Sequence, residues 1–276
     1  MSTPLKKLAG QIAIVTGASR GVGKGIALGL GEAGATVYVT GRSVRANRER
    51  GALPGTIGET AAEVTALGGR GIATSCDHAI DADVERLFHQ VRAEHAGRLD
   101  ILVNNAFAIP DGNLLAPFWE LPLEQWDVMH RVGLRSHYVA AWHAAPLMIA
   151  QKRGLVVNVS SFGAKIQAVN VAYGVGKAGV DRMTRDMGRE LKAHGVAVVS
   201  LWPGIVKTER LLADPDRIGF DPTNGESPLL SGRAVAAIAA DANMLVKTGQ
   251  PHIVAELAVE YGFTEPDGSL PTSLRR

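Results

Sequence analysis

Three glycines between an apolar run and a helical stretch constrain this chain more than any other feature. Residues 11–16, QIAIVT, are rich in β-branched side chains, and Gly17 stops the run. A Gly- and Ala-rich helical stretch follows from about residue 22 to 33, and residues 35–40, ATVYVT, read as a second strand. Strand, glycine turn, helix and strand make a βαβ unit. Glycines at this turn allow a tight bend and a close approach of a pyrophosphate to the backbone. The helix start adds unpaired N–H groups and the positive end of a dipole. Gly17, Ser19, Arg20, Gly21, Val22 and Gly23 are therefore candidate phosphate-side residues. A turn without a ligand is the alternative reading.

The alternation continues along the chain. Helical patterns cover residues 59–67, 81–95, 123–150, 173–194 and 233–241. Strand patterns cover residues 71–76, 99–104, 155–160, 196–201 and 252–255. Pro146 is expected to kink or shorten the helix over 123–150. Several strands are unbroken Val/Ile/Leu runs, as in strands covered on both faces. The predicted fold is α/β: a doubly wound parallel sheet of the Rossmann type in three α/β/α layers, one domain over residues 1–276. Residues 43–58, basic and then rich in Pro and Gly, read as an exposed loop. Residues 207–230 follow the sixth strand at the ligand-binding end of such a sheet. They read as a substrate lid, with a plain surface loop as the alternative. The tail from about residue 265 reads as irregular.

Composition removes several function classes. With 276 residues, 46% hydrophobic and 20% charged, the chain can bury a core without staples. Its 29 basic and 27 acidic residues are too evenly balanced for a nucleic-acid or anionic-membrane binder that works by bulk charge. The single cysteine, Cys76, excludes an intrachain disulfide and a thiolate metal cluster. It fits a reducing compartment, so a cytoplasmic location is expected. No apolar stretch of signal-peptide length precedes Gly17, and no uninterrupted apolar run is long enough to span a membrane. The eight histidines have no metal-ligand spacing, and no metal is expected. A hydrolase triad on Ser160 lacks its G-x-S-x-G setting. The 32 glycines follow no fixed period, so they serve particular turns and close approaches.

The second strand ends Val39-Thr40-Gly41-Arg42, with no acidic residue to hold a ribose 2′-hydroxyl. Arg42 and Arg20 could bind a 2′-phosphate instead, which favours NADP(H) over NAD(H). A solvated surface arginine is the alternative. Asp77 and His78 follow the third strand on the adenine side, where Asp77 could accept from the adenine amino group or cap the next helix. Tyr173 and Lys177 are four apart and share a helix face. Asn158 and Ser160 alternate to point the same way. A phenol of pKa about 10 is a poor acid–base group at neutral pH. A nearby ammonium and a helix N-terminus are expected to lower it by about 1–3 units.

Together and in this order, these motifs resemble the short-chain dehydrogenase/reductase superfamily over about residues 8–210. T-G-x-x-x-G-x-G stands at residues 16–23, N-N-A as Asn104-Asn105-Ala106, and N-x-S as Asn158-Val159-Ser160. Tyr173 and Lys177 match Y-x-x-x-K, and Pro203-Gly204 matches P-G. LWPGIVKTE and AYGVGKAG look like the dehydrogenase/reductase member 1 branch. The resemblance implies hydride transfer between a nicotinamide and a small carbonyl or alcohol. It implies Tyr173 as acid–base, and Lys177 on the nicotinamide ribose and lowering the tyrosine pKa. Ser160 would donate to the substrate oxygen, with Ser161 as fallback. Asn104 and Ala106 would line the adenine-ribose side. Pro203, Gly204, Val206 and Thr208 would line the nicotinamide side. A homodimer or homotetramer paired through the helices over 123–150 and 173–194 is expected, with no nucleic-acid or membrane partner.

Two positions depart from the family pattern. Gly133 stands where many members carry an asparagine that holds a water of the proton relay. Phe107 follows N-N-A where glycine is usual. They motivate a rival reading, a dinucleotide-binding regulatory or scaffold protein with impaired turnover. A sugar-nucleotide epimerase or dehydratase is a third reading, but it would need a separate substrate domain.

Overall fold

The structure, a computed structural model, describes residues 6–46, 53–217 and 219–275. Among the described residues seven strands form one parallel sheet: β1 (Ile12–Val15), β2 (Thr36–Gly41), β3 (Arg70–Ser75), β4 (Ile101–Asn104), β5 (Gly154–Val159), β6 (Val196–Trp202) and β7 (Pro251–Ile253). Their order is β3-β2-β1-β4-β5-β6-β7. The helices are α1 (Gly21–Glu32), α2 (Ile57–Ala66), α3 (Asp81–Glu94), α4 (Leu123–His130), α5 (Ser136–Gln151), α6 (Val171–Leu191), α7 (Glu209–Ala213), α8 (Pro228–Ala240) and α9 (Val254–Tyr261). Strand alternation sorts β1 between two cores. Ala13 and Val15 join residues of α1, α2 and α8, such as Ile26, Val64 and Val235. Ile12 and Ile14 join residues of α3 and α5, such as Leu87 and Met148. The predicted doubly wound, three-layer sheet is the observed one.

Glycine brings α1 onto α8. A β-carbon on Gly29 would lie 2.6 Å from Gly232 Cα, and one on Gly25 would lie 2.7 Å from the Pro228 side chain. The two helix backbones therefore touch, and α1 is held with its N-terminus at the end of β1.

Several boundaries differ from the sequence reading. The helical stretch over 123–150 is interrupted by a π-helical turn, Arg131–Arg135, rather than at Pro146. Pro146 is exposed within α5, where water can satisfy the carbonyl its missing N–H leaves unpaired. α6 begins at Val171 because the Asn170 side chain accepts from Tyr173 N at 2.9 Å. α8 begins at Pro228 behind the Ser227 cap. The short helices α7 and α9 were not anticipated. The stretch read as a loop over 43–58 contains the start of α2, and its residues 47–52 lie outside the described ones.

Substituting Gly29→Ala should drive α1 and α8 apart and cost about 1–3 kcal/mol, as overpacking a tight contact does. Urea unfolding beside the parent checks this.

Candidate active site

The strand order reverses at β1, which pairs with β2 on one side and β4 on the other. A crevice opens there, beyond the C-terminal strand ends. Asn105 stitches its two sides together. Its Nδ2 donates to the carbonyls of Thr16 (2.8 Å) and Gly17 (3.0 Å), while Asn105 N and Ala106 N donate to Thr16 Oγ1. Of the three N-N-A residues it is Asn105, to which the sequence pattern assigns no role, whose side chain makes this bridge. The Asn104 side chain instead points inward, fully buried, and donates to Asn158 Oδ1 and the His137 carbonyl. It does not face the cleft.

A cleft of about 320 Å³ lies over this turn, lined on one side by Gly17, Ser19, Gly21 and Gly23 and on the other by Arg42 and Asp77. Gly17 and Gly21 have positive φ, +65° and +58°, and a β-carbon on Gly17 would meet Ala106 Cα at 2.8 Å. A β-carbon on Gly23 would lie 2.5 Å from the Gly17 carbonyl oxygen. Only glycine fits the backbone of this turn. The donor at the head of α1 is engaged by the chain itself: Gly21 N donates to Glu209 Oε2 at 2.8 Å. A carboxylate from α7 thus sits where the dipole of α1 favours an anion, a residue that sequence reasoning missed.

On the adenine side, Arg20 donates to the carbonyls of Pro54 and Gly55 at 2.8 and 2.9 Å and to Ser43 Oγ at 3.2 Å. It anchors the loop before α2. Arg42 is largely exposed, with Nη1 3.8 Å from Asp77 Oδ2. Asp77 accepts from Ala79 N in a local turn and does not cap α3, whose N-cap is Ile80. His78 is buried against Thr40 Oγ1 at 2.8 Å, and burial pushes its pKa down to about 4. It is a neutral structural group at the cleft floor.

Tyr173 lies in the first turn of α6. A β-carbon on Gly163 would come within 2.5 Å of its ring, so Gly163 makes room for the phenol. The phenol donates to Ser161 Oγ at 2.9 Å. Ser160, the serine expected to act, instead donates to the Lys177 backbone carbonyl at 3.2 Å and is buried. The strand alternation that aligns Ser160 with Asn158 turns both under α6, where Asn158 donates to Thr184. Ser161, the next residue, therefore faces the phenol.

Lys177 is buried and donates to the Val159 carbonyl at 3.1 Å. Burial lowers its pKa to about 8, against the favourable charge of Asp181. Burial also raises the Tyr173 pKa, only partly offset by the bond to Ser161. The expected lowering of the phenol pKa is absent from this arrangement, because desolvation dominates and the ammonium's hydrogen bond goes to Val159.

A second cavity, about 380 Å³, opens beside Tyr173. Its wall is mainly apolar, with Ile109, Leu114, Met129, Phe162, Leu211 and Phe220. Pro203, Gly204, Val206 and Thr208 line it too, and Val22, Phe107 and Thr208 border both cavities. The loop after β6 is held by Glu226, which accepts from Gly204 N at 3.0 Å and pairs its backbone with Val206. Burial raises the Glu226 pKa to about 7, against the Gly204 hydrogen bond, and neighbouring Glu265 adds to the rise.

Comparison with known proteins agrees with this architecture. Residues 11–216 match the short chain dehydrogenase family. The chain is 43% identical to dehydrogenase/reductase SDR family member 1 of Mus musculus, over 97% of this chain and 86% of the relative. It is 33% identical to a 3-oxoacyl-[acyl-carrier-protein] reductase of Synechocystis sp., over 75% and 80%. A metagenomic short-chain oxidoreductase solved in complex with NADP superposes with a TM-score of 0.72 and 30% identity, over 90% of this chain and 97% of that one. The chain belongs to the short-chain dehydrogenase/reductase family, in the branch of SDR family member 1. It is an oxidoreductase of the class that acts on CH–OH and C=O groups with a nicotinamide cofactor. Among the described residues no helix is long and apolar enough to cross a membrane, and no cluster of His, Cys, Asp or Glu could hold a metal ion.

Glu226 supplies a pH test of the loop after β6. Its folded pKa of about 7 lies above the ordinary 4.5, so the folded state holds the proton more tightly. Stability from this group is full below about pH 4.5 and falls as pH rises toward 7. Glu226→Gln keeps an oxygen for Gly204 N and removes the buried charge. It should stabilise the protein by about 1–3 kcal/mol at pH 8 and little at pH 5, read by urea unfolding at both.

Proposed function

We propose that this chain is an NADP(H)-dependent carbonyl reductase for neutral substrates with an apolar body, with Tyr173 as acid–base and Ser161 as oxyanion donor. The observation that carries the reading is the Tyr173 hydroxyl on Ser161, beside buried Lys177, where the glycine-lined cleft meets the apolar cavity. The glycine-lined turn at the head of α1 fits a pyrophosphate, and exposed Arg42 near Ser43 and Arg20 fits a 2′-phosphate. The nicotinamide, when bound, supplies the hydride.

The residues of this chain do the rest. With its pKa raised by burial, Tyr173 is protonated at neutral pH and loaded as an acid. It gives its proton to the substrate oxygen as charge develops there. Ser161 Oγ donates to the same oxygen, and the low-dielectric wall strengthens that bond. Lys177 presents a cation beneath the site and holds the ribose. Among the described residues lining the apolar cavity, Lys177 is the one charged side chain, which disfavours acidic substrates that need a cationic clamp. Leu211 and Phe220 come from the segment read as a lid and close one wall, in keeping with that role.

Exposed Trp119, Leu123, Trp126 and Trp142, on or beside α4 and α5, support a homo-oligomer assembled through that side. A reducing, cytoplasmic setting accords with buried Cys76 as a free thiol.

Tyr173→Phe should lower kcat/KM for an apolar ketone by about 100–10,000-fold, and Ser161→Ala by about 100-fold or more. Ser160→Ala should stay within a few-fold of the parent. NADPH oxidation measures all three. A greater loss at Ser160 than at Ser161 would overturn the serine assignment. Absence of turnover with any neutral carbonyl, despite tight NADPH binding, would favour the regulatory reading.

Cofactor binding gives a separate check. Arg42→Ala should weaken NADPH about 10-fold or more while leaving NADH nearly unchanged. Glu209→Gln, which takes a competing charge off the head of α1, should tighten both a few-fold. Fluorescence titration of each variant reads the two effects.

A further inference from the structure

Phe107 and Gly133 are 26 positions apart in the chain, yet the fold sets them against each other. A β-carbon on Gly133 would lie 2.5 Å from Phe107 Cε2. No side chain at 133 fits while the ring stays where it is. Gly133 is itself buried, in the π-helical turn between α4 and α5. The two departures from the family pattern are thus one structural unit: the ring occupies the space that a side chain at 133 would fill.

The same ring touches both acid–base groups. Lys177 Nζ lies 4.9 Å from its centroid, and the Tyr173 ring meets it edge-on at 5.8 Å and 88°. An aromatic face attracts an ammonium through its quadrupole. The other partners of Lys177 are few. The Val159 carbonyl accepts one hydrogen bond, and Asp181 lies one turn along α6. From α5, His137 contributes an imidazole that burial keeps neutral, with its pKa near 3 and its Nε2 on the Ala106 carbonyl.

We propose that Phe107 is a positioning residue for Lys177: its ring, seated in the space Gly133 leaves, supports the ammonium against Val159 and shuts water out from the side of the π-helical turn. The inference rests on the reading of Tyr173 and Lys177 as the working pair, but its structural content can be measured without turnover. The ring has two effects of opposite sign on the ammonium. Its bulk excludes water, which disfavours the charge. Its π face stabilises the charge. Replacing it with a small residue removes both and admits water, whereas an aliphatic residue of similar bulk removes only the second.

The test is a titration of the full-length protein carrying 13C-labelled lysine, followed by NMR, with the Lys177 signal identified by its loss in Lys177→Met. Phe107→Ala should raise the Lys177 midpoint by about one unit or more, as water returns to a buried amine. Phe107→Leu should shift it below the parent. Curves for both variants that coincide with the parent would overturn the proposal, as would shifts in the same direction. Urea unfolding gives a second readout. Gly133→Ala should destabilise the parent and do so far less in the Phe107→Ala background. An equal loss in both backgrounds would show that the two positions are not one unit. If the parent shows no carbonyl reduction while these shifts occur, the reductase reading fails and the positioning role of Phe107 stands.

Discussion

The bonds of Asn105 to the ends of β1 hold the rest of the site in place. β1 and β4 diverge at the point where the sheet reverses its winding, and one side chain bridges the gap with two amide donors to consecutive carbonyls. Those carbonyls belong to Thr16 and Gly17, which curl into a turn that cannot follow a ladder. Buried peptide groups of this kind must find partners. Because Asn105 supplies them from across the crevice, the turn satisfies its carbonyls without closing over the cleft. The glycines then become a consequence. With Ala106 Cα and the Asn105 amide packed behind the turn, a β-carbon at 17 or 23 has nowhere to go. The contact of α1 with α8 belongs to the same logic, since it fixes the direction in which the helix dipole points.

Desolvation governs the chemistry of the other half of the site. Tyr173 and Lys177 share a helix face, yet burial moves their pKa values in opposite directions and apart, the phenol up and the ammonium down. In the proposed reduction the phenol must be protonated, and burial favours that state. Ser161 then does two things. It accepts from the phenol in the free protein, and it lies beside the apolar wall where a substrate oxygen would accept from both. In the proposed reaction, charge developing there would be met by fixed donors in a medium of low polarity, where each hydrogen bond counts for more than in water.

Much of this was legible in the residues. Unbroken Val and Ile runs with helical stretches between them gave the parallel sheet, and the spacing of Tyr173 and Lys177 put both on one face of α6. The places where the structure departs from the expected side-chain directions share a physical cause: residue order says which positions alternate, but not which side of a strand end faces the cleft. Asn104 and Asn105 are adjacent, as are Ser160 and Ser161; Asn104 turns inward while Asn105 bridges the cleft, and the phenol's hydrogen bond goes to Ser161, the fallback, rather than Ser160. Asn158 and Ser160 do alternate onto one side of the strand. What that alternation could not reveal is that α6 lies over that side, so that both side chains are spent on helix contacts. Glu209 and Glu226 gave no signal because their partners, Gly21 and Gly204, lie 188 and 22 positions away. The short helices α7 and α9 carry too few turns to show a period.

Gly133 shows how a local oddity becomes readable only in three dimensions. In the chain it looked like the loss of a side chain, and Phe107 looked like a separate intrusion. A π-helical turn places one more residue in the circuit than an α-turn does and is found where a helix is bent to serve a site. Here it carries the glycine to the one face where an aromatic ring already lies. The ring in turn reaches the ammonium that the helix opposite has buried. Two substitutions that would each be unfavourable alone therefore fit together: the ring needs the absent β-carbon, and the space left by the absent β-carbon needs the ring, because an unfilled space beside a buried cation would draw in water or collapse. The coupling ties the identity of residue 107 to that of residue 133 through packing, and to the protonation state of Lys177 through the same few ångströms.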